Sequence, residues 1–231
     1  SRYPVKWTLL YPVQLNIVSD VHSHQIMITA NLNCSNIIYH QNYILFRDHI
    51  NTKRYQHAVV YIGTKLLLHV LISLDDGGVK KIKTKAKHAW ETNAPQMKCF
   101  TEAELLKLIK GKRSSWDVTI IYKLIQRVCG LAPIDSGKWT KKVGGEETLE
   151  TLLYDMKELR NQVNHNTHVG ILSSTQLDAL LEELKELSMK ILDALIETAA
   201  KQSKKIEIDR VEYFRNYVEY VIVDVKQPLV E

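Results

Sequence analysis

The period of the apolar positions changes along the chain. In the first 46 residues Val13, Leu15 and Ile17 alternate with polar residues, and so do Ile26, Ile28, Ala30 and Leu32. Period two with many β-branched residues predicts strands, joined as a hairpin across Ser19–Ser23. Ile37–Phe46 fits either a third strand or a helical lead-in. From Tyr55 the period becomes helical. Val59, Val60, Ile62, Leu66, Leu67, Val70, Leu71 and Leu74 make a segment apolar nearly all round, which predicts a central buried helix. Gly63 inside it lowers helix propensity and points to another helix packed close at that position. Asp75-Asp76-Gly77-Gly78 ends the element.

Further helices are predicted over Thr101–Lys110 and over Asp117–Val128, the latter with Val118, Ile121, Leu124, Ile125 and Val128 on one face. Gly130–Gly145 reads as a loop rich in Gly, Pro and Lys. Glu146–His165 is helical, with Leu149, Leu152, Leu153, Met156, Leu159 and Val163 on its apolar face. A last long helix is expected from about Thr175 to Ala200, opened by Ser173 and Gln176 as a capping box. Beyond it a short helix near Arg210–Tyr217 precedes a β-like tail, Tyr220–Val225, able to pair with the N-terminal hairpin. The fold class is therefore mainly α. It divides into a β-rich appendage at 1–46, a helical domain at 47–200 and a C-terminal segment at 201–231.

Hydrophobic residues make up 45% of the 231 and charged residues 25%, the balance of a globular domain able to bury a sizeable core. The longest apolar stretch, Val59–Leu74, is interrupted by Lys65 and His69, so no transmembrane span and no membrane partner are expected. Three widely spaced cysteines, Cys34, Cys99 and Cys129, argue against a disulfide framework and a cysteine-based zinc site. They fit a reduced, cytoplasmic setting, with Cys129 a buried thiol. The net charge of +5 permits nucleic-acid binding without requiring it. The chain opens Ser1-Arg2-Tyr3-Pro4 and reads as an excised piece of a longer protein, which leaves targeting signals open.

The helix ending at His165 carries the candidate chemistry. Projected at about 100° per residue, Arg160, Asn164, Lys157, Asn161, Tyr154, His165 and Glu158 fall in one arc of about 160° beside the apolar face. Arg160 and His165 are not on one line and would converge through loosening of the last turn or across a dimer axis. A guanidinium offers a planar fork to phosphate oxygens and stays charged. Imidazole exchanges a proton near neutrality, and Asn can hold a water, a 2′-hydroxyl or the imidazole in place. RNA supplies its own nucleophile, so one base and one phosphate clamp suffice to cut it without a metal. No cluster of Asp, Glu or His stands at metal-ligand spacing, and no cofactor is expected. Taken alone, an Arg-Asn pair with a His five residues past the Arg also fits an ordinary helix stop, with the His placed favourably at the negative end of the dipole.

Four features occur together and in order. These are Gly63-Thr64-Lys65-Leu66-Leu67; Trp116-Asp117-Val118-Thr119-Ile120-Ile121-Tyr122-Lys123-Leu124-Ile125 followed by Cys129-Gly130-Leu131-Ala132-Pro133; Gly137-Lys138-Trp139; and Leu159-Arg160-Asn161-Gln162-Val163-Asn164-His165 before a long final helix. This set resembles the HEPN superfamily (higher eukaryotes and prokaryotes nucleotide-binding), in the branch of DZIP3-like and NOD-like-receptor-associated proteins. It spans about 60% of the chain. The resemblance implies a four- or five-helix bundle, usually dimeric, and a metal-independent endoribonuclease with Arg160, Asn161 and His165 as its catalytic set. Lys157, Asn164 and Tyr154 would support them. Neither residues 1–46 nor 201–231 belong to the pattern.

Other groups carry less. Lys80, Lys81, Lys83 and Lys85 could track an RNA backbone, although a lysine run beside Gly77-Gly78 also reads as a solvated mobile loop. Lys138 and Lys141 lie in the loop before the motif helix, where they would border its cleft. Trp116-Asp117 reads as a packed helix start. The functions in competition are an endoribonuclease, a non-catalytic RNA- or protein-binding module, and an oligomerisation platform of an innate-immune-type or signalling protein, each linked to other domains of a larger parent. The apolar helices at 55–74 and 175–200 exceed what a small bundle must cover, and the resembled family pairs. A homodimer is expected, with the motif helix near the two-fold axis; sedimentation that shows only monomer at tens of micromolar would count against a composite site.

Overall fold

In the computed structural model, residues 32–91, 100–112, 116–140, 147–164 and 171–227 are described; at 32–45, 89–91 and 164 the description is of backbone alone. The chain divides into two units, residues 1–47 and 48–231. Among the described residues the regular elements are helices: α1 Leu32–Leu74, α2 Gly78–Glu91, α3 Glu102–Lys110, α4 Val118–Val128, α5 Leu149–Asn164, α6 Ser174–Lys201 and α7 Ile208–Lys226. The expected hairpin over residues 13–31 lies outside the described residues. The backbone from Leu32 through Phe46 belongs to α1.

The second unit is a helical bundle built on α1. Ala58, Val59, Ile62, Leu66, Leu67, Val70 and Leu74 are wholly excluded from water. From Asp48 to Leu74, α1 is exposed at His49, Lys53, Tyr61, Lys65 and Ile72. The segment Phe46–Leu74 is long and apolar enough to cross a bilayer by length and composition. Its apolar side chains are nevertheless spent on the core of this bundle. The remaining helices pack in a chain of neighbours: α3 on α2, α2 on α4, α4 on α5, α5 on α6 and α6 on α7.

Local chemistry fixes the boundaries. Thr101 and Glu104 form a capping box on α3, and Glu104 also holds Lys123 of α4 at 2.7 Å. Burial works against this carboxylate's charge, but Lys123 and Thr101 outweigh it and hold its pKa below the usual range. Asp117 caps α4 by accepting from the Ile120 amide at 3.0 Å. Ser173 and Gln176 form the capping box expected at the start of α6. After α6, the Gln202 side chain donates to the carbonyls of Cys129 and Gly130, and Lys204 donates to the Leu74 carbonyl and pairs with Asp76. One connector thus ties down the ends of α1 and α4. Burial pushes the Cys129 thiol up to about 12, as suits an inert core sulfur.

Two expectations are corrected. The lysine run is not a loop but α2, whose first turn is held by Asp75 accepting from the Val79 amide at 3.0 Å. Val79, Ile82 and Ala86 recur at helical spacing and turn into the core, a stripe that the lysines hide. Likewise the β-like tail Tyr220–Val225 is the second half of α7. Val211, Phe214, Val218, Val221, Ile222 and Val225 are buried at spacings of three and four, so packing overrides the β preference of Tyr, Val and Ile. Phe214 stacks on the buried His69 of α1 with ring centres 5.2 Å apart and planes within 13°. The His69 Nε2 has no hydrogen-bond partner among the described residues. Burial, helped by the charge of Arg210, lowers this imidazole's pKa.

Two glycines mark close approaches. A Cβ on Gly63 would sit 3.2 Å from the Met156 sulfur, which places α5 against the middle of α1, as the glycine's position foretold. A Cβ on Gly78 would meet the Val128 Cβ at 2.6 Å, with the Val128 Cα only 3.4 Å away. Met156 can swing aside, whereas a branched Cβ fixed to a helix cannot. Gly78→Ala should therefore force α2 off α4 and cost about 1–3 kcal/mol, seen as a lowered midpoint in urea with an unchanged slope. A midpoint equal to or above that of the parent would refute this reading of the α2–α4 contact.

Candidate functional site on helix α5

Helix α5 turns Leu149, Leu152, Leu153, Met156 and Val163 into the core and leaves Tyr154, Lys157, Glu158, Arg160 and Asn161 half-buried along its flank. The apolar face is the one expected, and the flanking arc holds the expected polar groups. This arc is only partly open to water, because α4 packs beside it. Lys157 shows the effect most clearly. Its ammonium lies 5.3 Å from the centre of the Tyr154 ring and 5.5 Å from that of Tyr122 on α4, and it pairs with Glu158 at 2.8 Å. Two aromatic faces and one carboxylate thus replace much of the water lost from the cation. Tyr122 in turn meets Trp139 edge to face at 5.6 Å, and the Trp139 indole donates to the Ala132 carbonyl at 2.8 Å. Burial raises the Tyr122 pKa, with Tyr154 and Glu158 adding to the effect, so this phenol stays neutral.

One turn on, the Arg160 guanidinium donates to the Asn161 side-chain oxygen at 3.4 Å, a long bond. Asp117 at the start of α4 feels the charge of Arg160. Burial opposes ionisation of that carboxyl, but the Ile120 amide, Lys107 at 3.0 Å and the field of Arg160 together lower its pKa. A phosphate arriving at Arg160 would therefore meet a site whose own anion stands nearby.

The chain beyond α5 is fixed at its far end. Asn51 donates to the Leu172 carbonyl at 3.2 Å, and the Leu172 amide donates to the Thr52 hydroxyl at 3.1 Å. The Thr52 hydroxyl itself donates to the Asp48 carbonyl. Both backbone groups of Leu172 are thus held by buried side chains of α1. Asn164 closes α5 by its backbone, and His165 and Lys141 lie outside the described residues. The structure brings Tyr154, Lys157, Arg160 and Asn161 together on one flank. Lys80, Lys81, Lys83 and Lys85 lie on a different helix, α2, and Lys138 lies exposed in the loop before α5. Among the α2 lysines, Lys83 reaches inward over the Trp116 ring at 5.7 Å and donates to the Gly111 carbonyl at 3.5 Å.

Sequence reasoning missed Tyr122, Asn51 and Thr52, and took Asp117 for a helix start alone. Tyr122 lay within the quoted motif, but nothing in the pattern showed that α4 would set its ring beside Lys157. Asn51 and Thr52 gave a weak signal as polar residues on a helix otherwise bound for the core. No known protein family, curated protein or solved structure matches the chain.

The lysine between two tyrosines yields a test of the local energetics. Lys157→Met keeps the length and loses the charge, and should cost about 1 kcal/mol of stability. Lys157→Arg should recover most of it, since a guanidinium also stacks on rings and pairs with Glu158. Chemical unfolding of both variants decides the matter; equal losses would show that the rings serve only as apolar packing.

Proposed function

We propose that residues 47–200 form a HEPN-like domain that acts as a metal-independent endoribonuclease, working as a homodimer in the cytoplasm. The observation that carries this reading is the flank of α5. Arg160 and Asn161 stand within hydrogen-bonding reach of each other on a half-buried arc, in the helix that leads directly into His165. The motif shared with the resembled family supplies the assignment of roles. His165 moves the proton of the attacking 2′-hydroxyl. Arg160 holds the scissile phosphate and stabilises its growing charge. Asn161 orients the imidazole or the substrate, with Lys157, Tyr154 and Asn164 in support.

A second reading is a domain that holds RNA or a protein partner without cutting, as an oligomerisation module of an innate-immune-type or signalling protein. One observation favours it. Arg160 and Asp117 lie in each other's field, so the negative charge of Asp117 opposes the approach of a phosphate.

Cleavage with EDTA present should leave a 2′,3′-cyclic phosphate or 3′-phosphate and a 5′-hydroxyl. Proton transfer by a positioned side chain is worth roughly 10²–10⁴-fold, so His165→Ala should nearly abolish turnover while the helical circular dichroism and melting temperature stay as in the parent. DNA, or RNA carrying a 2′-O-methyl at the cut site, should resist. Cleavage that needs magnesium or survives His165→Ala would sink the mechanism, and an intact chain without cleavage would select the binding module.

A further inference from the structure

Helix α2 is one-sided. Val79 and Ala86 are buried and Ile82 half-buried, while Lys80, Lys81, Lys85, Lys87 and His88 are exposed. From Gly78 to Trp90 it carries no acidic residue. Among the described residues, Lys80, Lys81 and Lys85 have no carboxylate within ion-pair distance. The acids at its base are occupied, since Asp75 holds the Val79 amide and Asp76 pairs with Lys204. Lys83 carries the surface onto the end of α3 through its bond to the Gly111 carbonyl, and on either side of that glycine Lys110 and Lys112 are exposed. The bundle therefore presents a group of lysines drawn from α2 and the end of α3.

We infer that this α2–α3 lysine face is a docking surface for the phosphate backbone of double-stranded RNA. Lysines act as point charges and read no base sequence, so they position a polyanion without specifying it. Proteins that grip single strands combine basic grooves with exposed aromatic platforms for the bases. No phenyl or indole ring is exposed from Val79 to His88 or along α3. A duplex turns its bases inward and presents phosphates and sugar hydroxyls, which is all that such a face can hold. An anionic bilayer fits less well. A membrane-binding basic helix must insert its apolar side, and that side of α2 is already buried in the core. The inference rests on the proposed RNA reading and narrows it to duplex or hairpin substrates.

The test uses the full chain with a 20-base-pair RNA duplex carrying 2′-O-methyl groups throughout, which resists 2′-hydroxyl attack. Its binding is followed by fluorescence anisotropy across a salt series, beside the matching single strand and phosphatidylserine vesicles. We expect the duplex to bind at least fivefold tighter than the single strand. The triple variant K80E/K81E/K85E should weaken duplex binding at least tenfold at 0.1 M salt. Replacing the three with glutamine should lower the log–log salt slope by roughly 2–3, since each phosphate that is no longer neutralised removes about 0.9. All three positions are exposed, so both variants should keep the parent's melting curve. An unchanged affinity and slope in both variants, equal affinity for the single strand, or capture by vesicles without duplex binding would overturn the inference. Cleavage of unmodified RNA, measured separately, keeps the two readings apart: lost cleavage with intact duplex binding counts against the nuclease alone, and intact cleavage with α2-independent binding counts against the docking face alone.

Discussion

The buried half of α1 is the constraint on which the rest of the bundle depends. A helix whose apolar residues occupy most of its circumference cannot rest on a single partner. Each fully buried Leu or Ile contributes roughly 2–3 kcal/mol relative to exposure, and these residues can be covered only from several sides at once. Met156 of α5 comes in at Gly63, Phe214 of α7 at His69, and the segment before α6 at Asn51 and Thr52. The polar pair at the start of the buried stretch matters as much as the apolar run that follows. By engaging both backbone groups of Leu172 it sets where the chain enters the bundle ahead of α6.

The flank of α5 shows how a half-buried positive arc is made tolerable. Cations removed from water need compensation, and here each receives a different kind. Lys157 has two ring faces and Glu158, whereas Arg160 bonds to Asn161 and lends its charge to the field at Asp117. Lys157 thereby becomes part of the wall between α4 and α5.

Much of this architecture was legible in the residues, and the failures share one cause. The central helix, the face of α5, the capping box at Ser173 and the close approach at Gly63 all followed from local periodicity or from a single residue with few explanations. The lysine run and the Tyr220–Val225 tail were misread because composition spoke louder than spacing. Five lysines hid the stripe Val79, Ile82 and Ala86, and β-branched residues hid a stripe that begins at Val211. In both segments the deciding term is burial against other helices, which a local window does not contain. The polar environment of the candidate site was less legible still. The motif named Arg160 and Asn161, but Tyr122 and Asp117 reach them only because α4 packs beside α5, and His165 lies outside the described residues.

The stacked pair of His69 and Phe214 carries a consequence for how this bundle meets acid. Its imidazole is buried, faces an aromatic ring and has no hydrogen-bond partner for Nε2 among the described residues, so it is held in the uncharged form. An unfolded chain takes up a proton there near the ordinary histidine value, while the folded chain does so only at lower pH. Between those two points the unfolded state binds the extra proton, and the linkage relation makes stability fall as pH falls. The contribution is whole above the ordinary histidine range and is lost on descending toward the lowered value. The group that carries this acid sensitivity sits where the C-terminal helix meets the central one, against Phe214.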